Sequence, residues 1–371
     1  CRQIEAEPLI VVNMESDGRK HWAYLKPGMC RSAGPAEAAE WVDYCNNPDN
    51  VMRRTHGDDE PYNVRYWQIG NETSYDPRGF DCETAAGRTL AFAREMRKVD
   101  PSIKLIAWGD SGWAERMCEI AGEEIDMIAF HHHFGSGLED SPLYGTEYRK
   151  DFSRTWEHLM NAYRSMEERI REMREQVAPY GKKLAMTEGH FALPGRNRCE
   201  VLSTWAAGVA YARIMHVHQR NGDILDIATL ADFFGNRWQV NAIIIPTPVR
   251  QGIPYLQPVG WVMMLYRHHV GKEAISATNP PELDVVASRT GNRIYLHVVN
   301  TLMHRGVRVR LEVEGMKIKG GTAYEIAAEP EFEITELTPD AFKPRKKDFE
   351  GDEWTFPRAS VTAMELECVQ A

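Results

Sequence analysis

The first two-thirds of the chain alternates between two hydrophobic patterns. Short runs that are apolar at successive positions read as strands buried on both faces. Longer stretches in which apolar residues return every three or four positions read as helices with one buried side. "PLIVVNM" (8–14) is of the first kind, and "GPAEAAEWVDYCN" is a helix with Pro35 near its start. "NVRYWQIG" supplies the next strand, and "ETAAGRTLAFAREMRKVD" (83–100) is an amphipathic helix that stops before Pro101. A strand at 103–109, a helix near 113–122 and a strand at 125–135 continue the alternation. Then come a long charged helix over about 150–177, a strand at 182–190 and a helix at 198–219. A strand at 224–234 and a helix at 256–271 complete the series. Strand followed by helix, repeated, predicts a parallel sheet with helices packed outside it.

From about residue 275 the pattern changes. "LDVVASRTGNRIYLHVVNT" is two period-two strands around a Thr-Gly-Asn turn, and "VRVRLEVEG" and "ASVTAMELE" alternate in the same way. The expected organisation is an α/β region over 1–272 and an antiparallel β-domain over 273–371. Within the latter, "TPDAFKPRKKDFEGDEW" reads as a charged loop between strands.

Composition narrows the classes of function. The 371 residues are 43% hydrophobic and 26% charged, enough for one large core and one smaller one. A net charge of −10 with no long basic run argues against nucleic acid or an anionic membrane as partner. No apolar run approaches the roughly 18 residues of a membrane-spanning helix. The seven cysteines are odd in number and form no CxxC pair, which points to a reducing compartment, taken here as the cytoplasm. No GxSxG elbow and no complete dinucleotide-binding fingerprint is present, so no cofactor is expected.

Candidate chemistry sits where strands run out. Asn71-Glu72 follows "YWQIG", and Glu188 follows "KLAMT". Taken alone, Asn71-Glu72 reads either as a turn or as half of an active site. In parallel α/β folds, however, the loops that form active sites gather at the carboxyl ends of strands. Two carboxylates on that face suit glycoside hydrolysis, in which one donates a proton and the other attacks the sugar or activates water. Between them in chain order lie His131, His132 and His133, and strand alternation places His131 and His133 on one side. No second cluster of ligands accompanies them, so no metal is expected, and hydrogen bonding to a sugar or a glutamate is the preferred role. Trp67 is read as core, and Trp108 and Trp238 as candidate pocket walls.

The segments "YWQIGNE", "IAFHHHFG", "KLAMTEG" and "LDVVASRTGNRIYLHVVN" together resemble glycoside hydrolase family 51, chiefly α-L-arabinofuranosidases. The resemblance runs from about residue 7 to the end. It implies a retaining glycosidase on a (β/α)8 TIM barrel with a C-terminal β-sandwich of jelly-roll type. It further implies Glu72 as general acid/base, Glu188 as nucleophile, and Asn71 as a ligand of the sugar 2-hydroxyl. His131 matches a histidine of the barrel's sixth strand. His133 falls where the family has a tyrosine, Asp232 where many members have a glutamine, and His190 where an aromatic is common. The segment after Glu72, "TSYDPRGF", departs from the Gly- and Trp-containing run usual in arabinofuranosidases. Another specificity of the same clan (endo-glucanase, xylosidase or galactosidase) and a non-catalytic carbohydrate-binding or assembly subunit are the alternative readings.

Only six strand–helix units can be counted, and the first looks like the third of the family. The expectation is therefore that a second polypeptide or a missing N-terminal segment completes the barrel, since an open barrel exposes sheet edges and core. The expected partners are a carbohydrate substrate and further copies of the chain in a homo-oligomer.

Overall fold

The computed structural model describes residues 1–14, 34–75, 81–193, 200–236, 242–246 and 252–370. Trp238 falls outside them, as does the segment after Glu72 beyond Tyr75. The chain begins its alternation with β1 (Leu9–Val12), α1 (Pro35–Asn46), α2 (Val51–Thr55), β2 (Tyr66–Ile69), α3 (Cys82–Val99) and β3 (Lys104–Trp108). It continues with α4 (Ala114–Ala121), β4 (Met127–Phe134), α5 (Phe152–Asn161), α6 (Tyr163–Val177), β5 (Lys183–Phe191), α7 (Trp205–Arg220) and β6 (Leu225–Ala228). Strands β1 to β6 form one six-stranded sheet in chain order. The pairs β1/β2, β2/β3, β3/β4 and β5/β6 are parallel, as the strand–helix alternation predicts.

The chain divides into two compact units. The first comprises residues 1–131, 170–187 and 224–228, and the second the remainder. Strands β4 and β5 belong to both, their first residues to the first unit and their last to the second.

In the first unit, α3 shows how sequence becomes packing. Asp81 caps it by accepting the Thr84 N–H, which also holds the Asp81 carboxyl below its ordinary value. Arg97 and Lys98 sit in its last turn, where cations favour the helix dipole. Ala85, Ala86, Thr89, Phe92, Ala93 and Met96 make a buried stripe at helical spacing. The sheet contributes Ile106, Trp108, Met127, Ala129 and Ala185 to a common core cluster. Trp67 is fully buried, with its indole N–H on the Val64 carbonyl, as its core reading requires.

The second unit continues through the short strands β7 (Phe234–Gly235), β8 (Ile243–Ile244) and β9 (Tyr255–Leu256), then α8 (Pro258–His268). Next come β10 (Glu273–Ile275), β11 (Leu283–Thr290), β12 (Arg293–Asn300), β13 (Val307–Arg310) and β14 (Met316–Ala327). The last strands are β15 (Arg345–Glu350), β16 (Glu353–Phe356) and β17 (Ser360–Gln370). One antiparallel sheet has the order β10-β11-β12-β17-β14-β15, and β13 pairs with β16 as a separate ribbon. Apolar residues of both, including Val298, Met364 and Phe356, share one core. The predicted hairpin is present, with Gly291 left-handed (φ +59°) in its turn.

Three expectations change. The charged stretch near 340–356 is not a loop but contains β15 and β16. Strand β15 lies on a sheet edge, where charged side chains remain in water and no apolar alternation is needed. Its Lys347 reaches Glu325 on β14 at 2.6 Å. The long helix of 150–177 is two helices. At Ala162 the N–H turns to the Leu159 carbonyl, a tighter bond than the helical one. The strand of 224–234 ends at Ala228, after which the Ala231 N–H bonds the Gly189 carbonyl. Among the described residues, no helix is long and apolar enough to cross a membrane.

A buried ionic cluster organises the second unit. Asp284 accepts from Arg213 Nε (3.1 Å), from Arg220 and from His216 Nδ1 (3.0 Å), and Tyr266 OH donates to His216 Nε2 (2.8 Å). Burial raises the Asp284 carboxyl, but His216 and Arg220 outweigh it and hold the group well below its ordinary value. Burial lowers His216, lowers His297 to about 3, and lowers His218 to about 4, the last helped by His132.

Two predictions follow from this packing. A Cβ on Gly109 would collide with Ile128 and stand 3.0 Å from the Ala114 Cα. Gly109→Ala should therefore cost about 1–3 kcal/mol, read from the midpoint of denaturant unfolding. The buried histidines set an acid limit. Their folded values lie below the unfolded 6.5, so their stabilisation is complete above pH 6.5 and is lost as pH falls towards 4. Each should add a slope of about 1.4 kcal/mol per pH unit in that window, and His218→Phe should flatten it.

Candidate active site

Strand β2 ends at Ile69, and Gly70 closes it by donating its N–H to the Val12 carbonyl at 3.1 Å. Gly70 then turns the chain at φ +74°, where a Cβ would crowd Met14 and Thr73. Glu72 adopts φ +53°, a left-handed conformation uncommon for a residue with a side chain. Gln68, buried at the strand end, spans the turn by donating Nε2–H to the Gly70 carbonyl at 2.9 Å. The same group lies 3.4 Å from the Asn71 amide oxygen.

The Glu72 carboxylate meets His131 of β4, with Oε1 3.1 Å from Nδ1. The histidine side chain is only 4% exposed, while that of Glu72 is 31% exposed. This asymmetry gives the carboxylate a fixed partner on one side and access on the other. Behind His131 stands Trp108, fully buried, with its ring edge-on to the imidazole at 4.6 Å between centroids. The indole N–H donates to Ser74 Oγ at 2.8 Å, and Ser74 reaches Ser111 at 3.1 Å. Tyr75 stands edge-on to Trp108 at 5.3 Å and donates its hydroxyl to Asp110 at 2.5 Å. Three predicted residues, Glu72, Trp108 and His131, thus sit in one polar network of the first unit, while the Asn71 amide meets Gln68.

The second unit holds the others. Glu188, half-buried on β5, and His190 lie two positions apart and project to one face of the strand. The His190 ring stands 4.0 Å from that of His133. His132, the middle histidine, bonds Ser165 instead, with 3.0 Å between Nε2 and Oγ, as strand alternation predicts. Asp232 is exposed, next to the Ala231 that bonds Gly189.

Sequence reasoning missed Ser74, Tyr75 and Asp110. The signal is "WGDSGW", which places a carboxylate just beyond a strand as Glu72 is placed after β2. A carboxyl beside a histidine at the mouth of a parallel sheet can give and take a proton, which is the requirement for general acid/base work.

The family model for the alpha-L-arabinofuranosidase 1 domain matches residues 1–158. The intracellular exo-alpha-(1->5)-L-arabinofuranosidase 1 of Bacillus subtilis is 34% identical over 122 residues, which are 29% of this chain and 24% of that protein. An α-L-arabinofuranosidase structure from Thermotoga maritima, an arabinose complex, superposes with TM-score 0.78 at 24% identity, covering 100% of this chain and 77% of that one. The thermostable GH51 α-L-arabinofuranosidase of Thermotoga petrophila gives TM-score 0.78 at 25% identity, covering 99% and 77%. The chain thus spans about a quarter of the curated relative that it matches. It is α-L-arabinofuranosidase-like, corresponds to part of that enzyme's length, and has a TIM-barrel-like α/β fold.

The strained turn makes a prediction. A glycine tolerates φ +53° without strain and an alanine does not. Glu72→Gly should therefore be more stable than Glu72→Ala by about 1 kcal/mol, measured by thermal or denaturant unfolding of the two variants.

Proposed function

We propose that this chain carries the catalytic pair of a retaining glycoside hydrolase acting on terminal α-L-arabinofuranosyl bonds. The observation that carries the reading is Glu72, held left-handed at a strand end with its carboxylate on His131. Glu188, on β5 of the same family-like segment order, is taken as its partner. The arabinofuranosidase names of the relatives support the substrate class.

In the first step the Glu188 carboxylate attacks the anomeric carbon, and protonated Glu72 gives its proton to the departing oxygen as that bond breaks. The sugar is then an ester of Glu188. In the second step Glu72, now a carboxylate, takes a proton from water as the water oxygen attacks the same carbon and releases Glu188. Asn71 is assigned to the sugar 2-hydroxyl. His131 holds the Glu72 carboxyl through both steps, with Trp108 backing its ring. His133, His190 and Asp232 are assigned to the sugar subsite.

Within this reading, residues 1–272 form the barrel part and 273–371 a sandwich of jelly-roll type. The sheet has six strands where an eight-stranded barrel requires two more. We assign those to a second polypeptide or a further segment, in a homo-oligomeric assembly. A second specificity within the same clan is favoured by one observation. The residues after Glu72, Thr73-Ser74-Tyr75, depart from the arabinofuranosidase pattern.

The test uses the complete assembly and aryl glycosides. Glu188→Ala should abolish turnover of an aryl α-L-arabinofuranoside. Azide should restore turnover to Glu72→Ala when the leaving group is activated. A crystal structure of the assembly should place the two carboxyl groups about 5–5.5 Å apart, whereas about 6.5–9.5 Å would mean inversion. Normal activity of both variants would refute the assignment. A panel of aryl glycosides on which another sugar is preferred would move the reading to the second specificity.

A further inference from the structure

The contact between Glu72 and His131 has a common anchor, and we propose that this anchor, Asp110, is a positioning residue for the Glu72 acid/base. The inference rests on the role given to Glu72 above. Asp110 is 5% exposed just past the end of β3. Its Oδ1 accepts the Ser111 N–H at 2.6 Å, and its Oδ2 accepts both the Tyr75 hydroxyl at 2.5 Å and the His131 N–H at 3.3 Å.

These donors come from both sides of the proton-transfer pair. Tyr75 belongs to the Glu72 turn itself, since its own N–H donates to the Glu72 carbonyl at 3.0 Å. The His131 N–H belongs to the β4 main chain that carries the imidazole. One buried carboxylate therefore locates the turn bearing the carboxyl and the strand bearing the ring. A left-handed glutamate costs about 1–3 kcal/mol and persists only where its surroundings over-determine it. Asp110 supplies that determination, with Ser74 on Trp108 as a second tie to β3.

The chemistry selects an aspartate here. The Ser111 N–H, the Tyr75 hydroxyl and the His131 N–H are all donors, and a carboxylate accepts on both oxygens. An asparagine would turn its amide towards one of them and leave a donor facing a donor. A merely turn-forming aspartate would need only the Ser111 bond on Oδ1. The Oδ2 contacts are what tie the loop after β2 to β4.

The test takes the full chain, with Tyr75→Phe and Asp110→Asn, in two readouts. The first is the imidazole ¹⁵N spectrum of labelled protein, with Glu72→Gln as the reference for a lost carboxylate partner. The His131 Nδ1 resonance should shift towards that reference in both variants, further in Asp110→Asn. The second compares phenyl and dinitrophenyl α-L-arabinofuranosides with the complete assembly. Proton donation matters for the basic phenol and little for the acidic one. Each variant should lose about tenfold in kcat/KM on the phenyl glycoside and less than about twofold on the dinitrophenyl one.

Wild-type His131 resonances in the folded variants would overturn the proposal, as would equal losses on the two glycosides. If Asp110→Asn fails to fold, Tyr75→Phe, which removes one hydroxyl and keeps the ring on Trp108, decides alone. If Glu72→Ala itself treats the two glycosides alike, or neither is turned over, the acid/base reading fails. The resonances then decide whether Asp110 positions the pair.

Discussion

One hydrogen bond of the first unit, that of the Glu72 carboxylate with the His131 imidazole, depends on the arrangement of the whole sheet beneath it. It closes only if three strands are in register. Ile69 of β2 pairs with Ala107 of β3, and Trp108 pairs with Ala129 of β4. That ladder brings the turn after β2 and the histidine two residues past Ala129 to the same end of the sheet. A slip of one residue in β4 would exchange His131 for a neighbour that projects to the opposite face. Sheet register is set by the apolar residues of the core, Ile106, Trp108, Met127 and Ala129, so the chemistry is positioned by the hydrophobic pattern beneath it. The left-handed backbone at Glu72 is the cost of aiming a carboxylate from so short a turn.

The second unit pairs the same residue types for another end. Asp284 and His216 are as close as Glu72 and His131, and a tyrosine extends the pair. Yet their side chains are 6% and 0% exposed, against 31% for Glu72. A carboxylate so enclosed, with two arginines on it, meets no substrate. It ties α7 to β11 while Tyr266 of α8 stacks on His297 of β12 at 3.8 Å. Breaking such a buried pair from one side leaves an uncompensated charge, which is far costlier than losing a surface ion pair. Composition alone cannot separate an enclosed histidine–carboxylate pair from one open to solvent.

Much of this was legible in the sequence because the physical signals were local. Apolar runs at 103–109 and 125–135 announce buried parallel strands and both are present, whereas the strand of 8–14 is present but only partly buried, with Val11 exposed at the end of the sheet order. The alternation of His131, His132 and His133 follows from strand geometry, and the middle residue does go to a different partner. What was not legible depends on neighbours far along the chain. Strand β15 has no apolar alternation, because an edge strand needs only a partner's backbone. Likewise nothing in "TSY" or "WGDSGW" alone says that Tyr75 will find Asp110, 35 residues away. Nor does a local pattern encode the bond from Ala231 to Gly189 that lies beyond the end of β6 at Ala228.

The departure after Glu72 can now be read physically. In the resemblance to family 51, "TSYDPRGF" stands out as the segment that differs, which by itself suggests an altered or weakened site. The hydrogen bonds point elsewhere. Ser74 receives the Trp108 indole N–H and reaches Ser111, and Tyr75 bonds Asp110 and packs edge-on to Trp108. Ser74 and Tyr75 are therefore the residues that fasten the Glu72 turn to β3 and the loop after it. A change of residues that removed support would leave Trp108 Nε1 and Asp110 Oδ2 buried without those partners, a penalty of about 1–3 kcal/mol each. Both are satisfied by Thr73's two successors, Ser74 and Tyr75. Substitution at a strand end can thus alter what lies around a carboxylate while leaving its position firmly held.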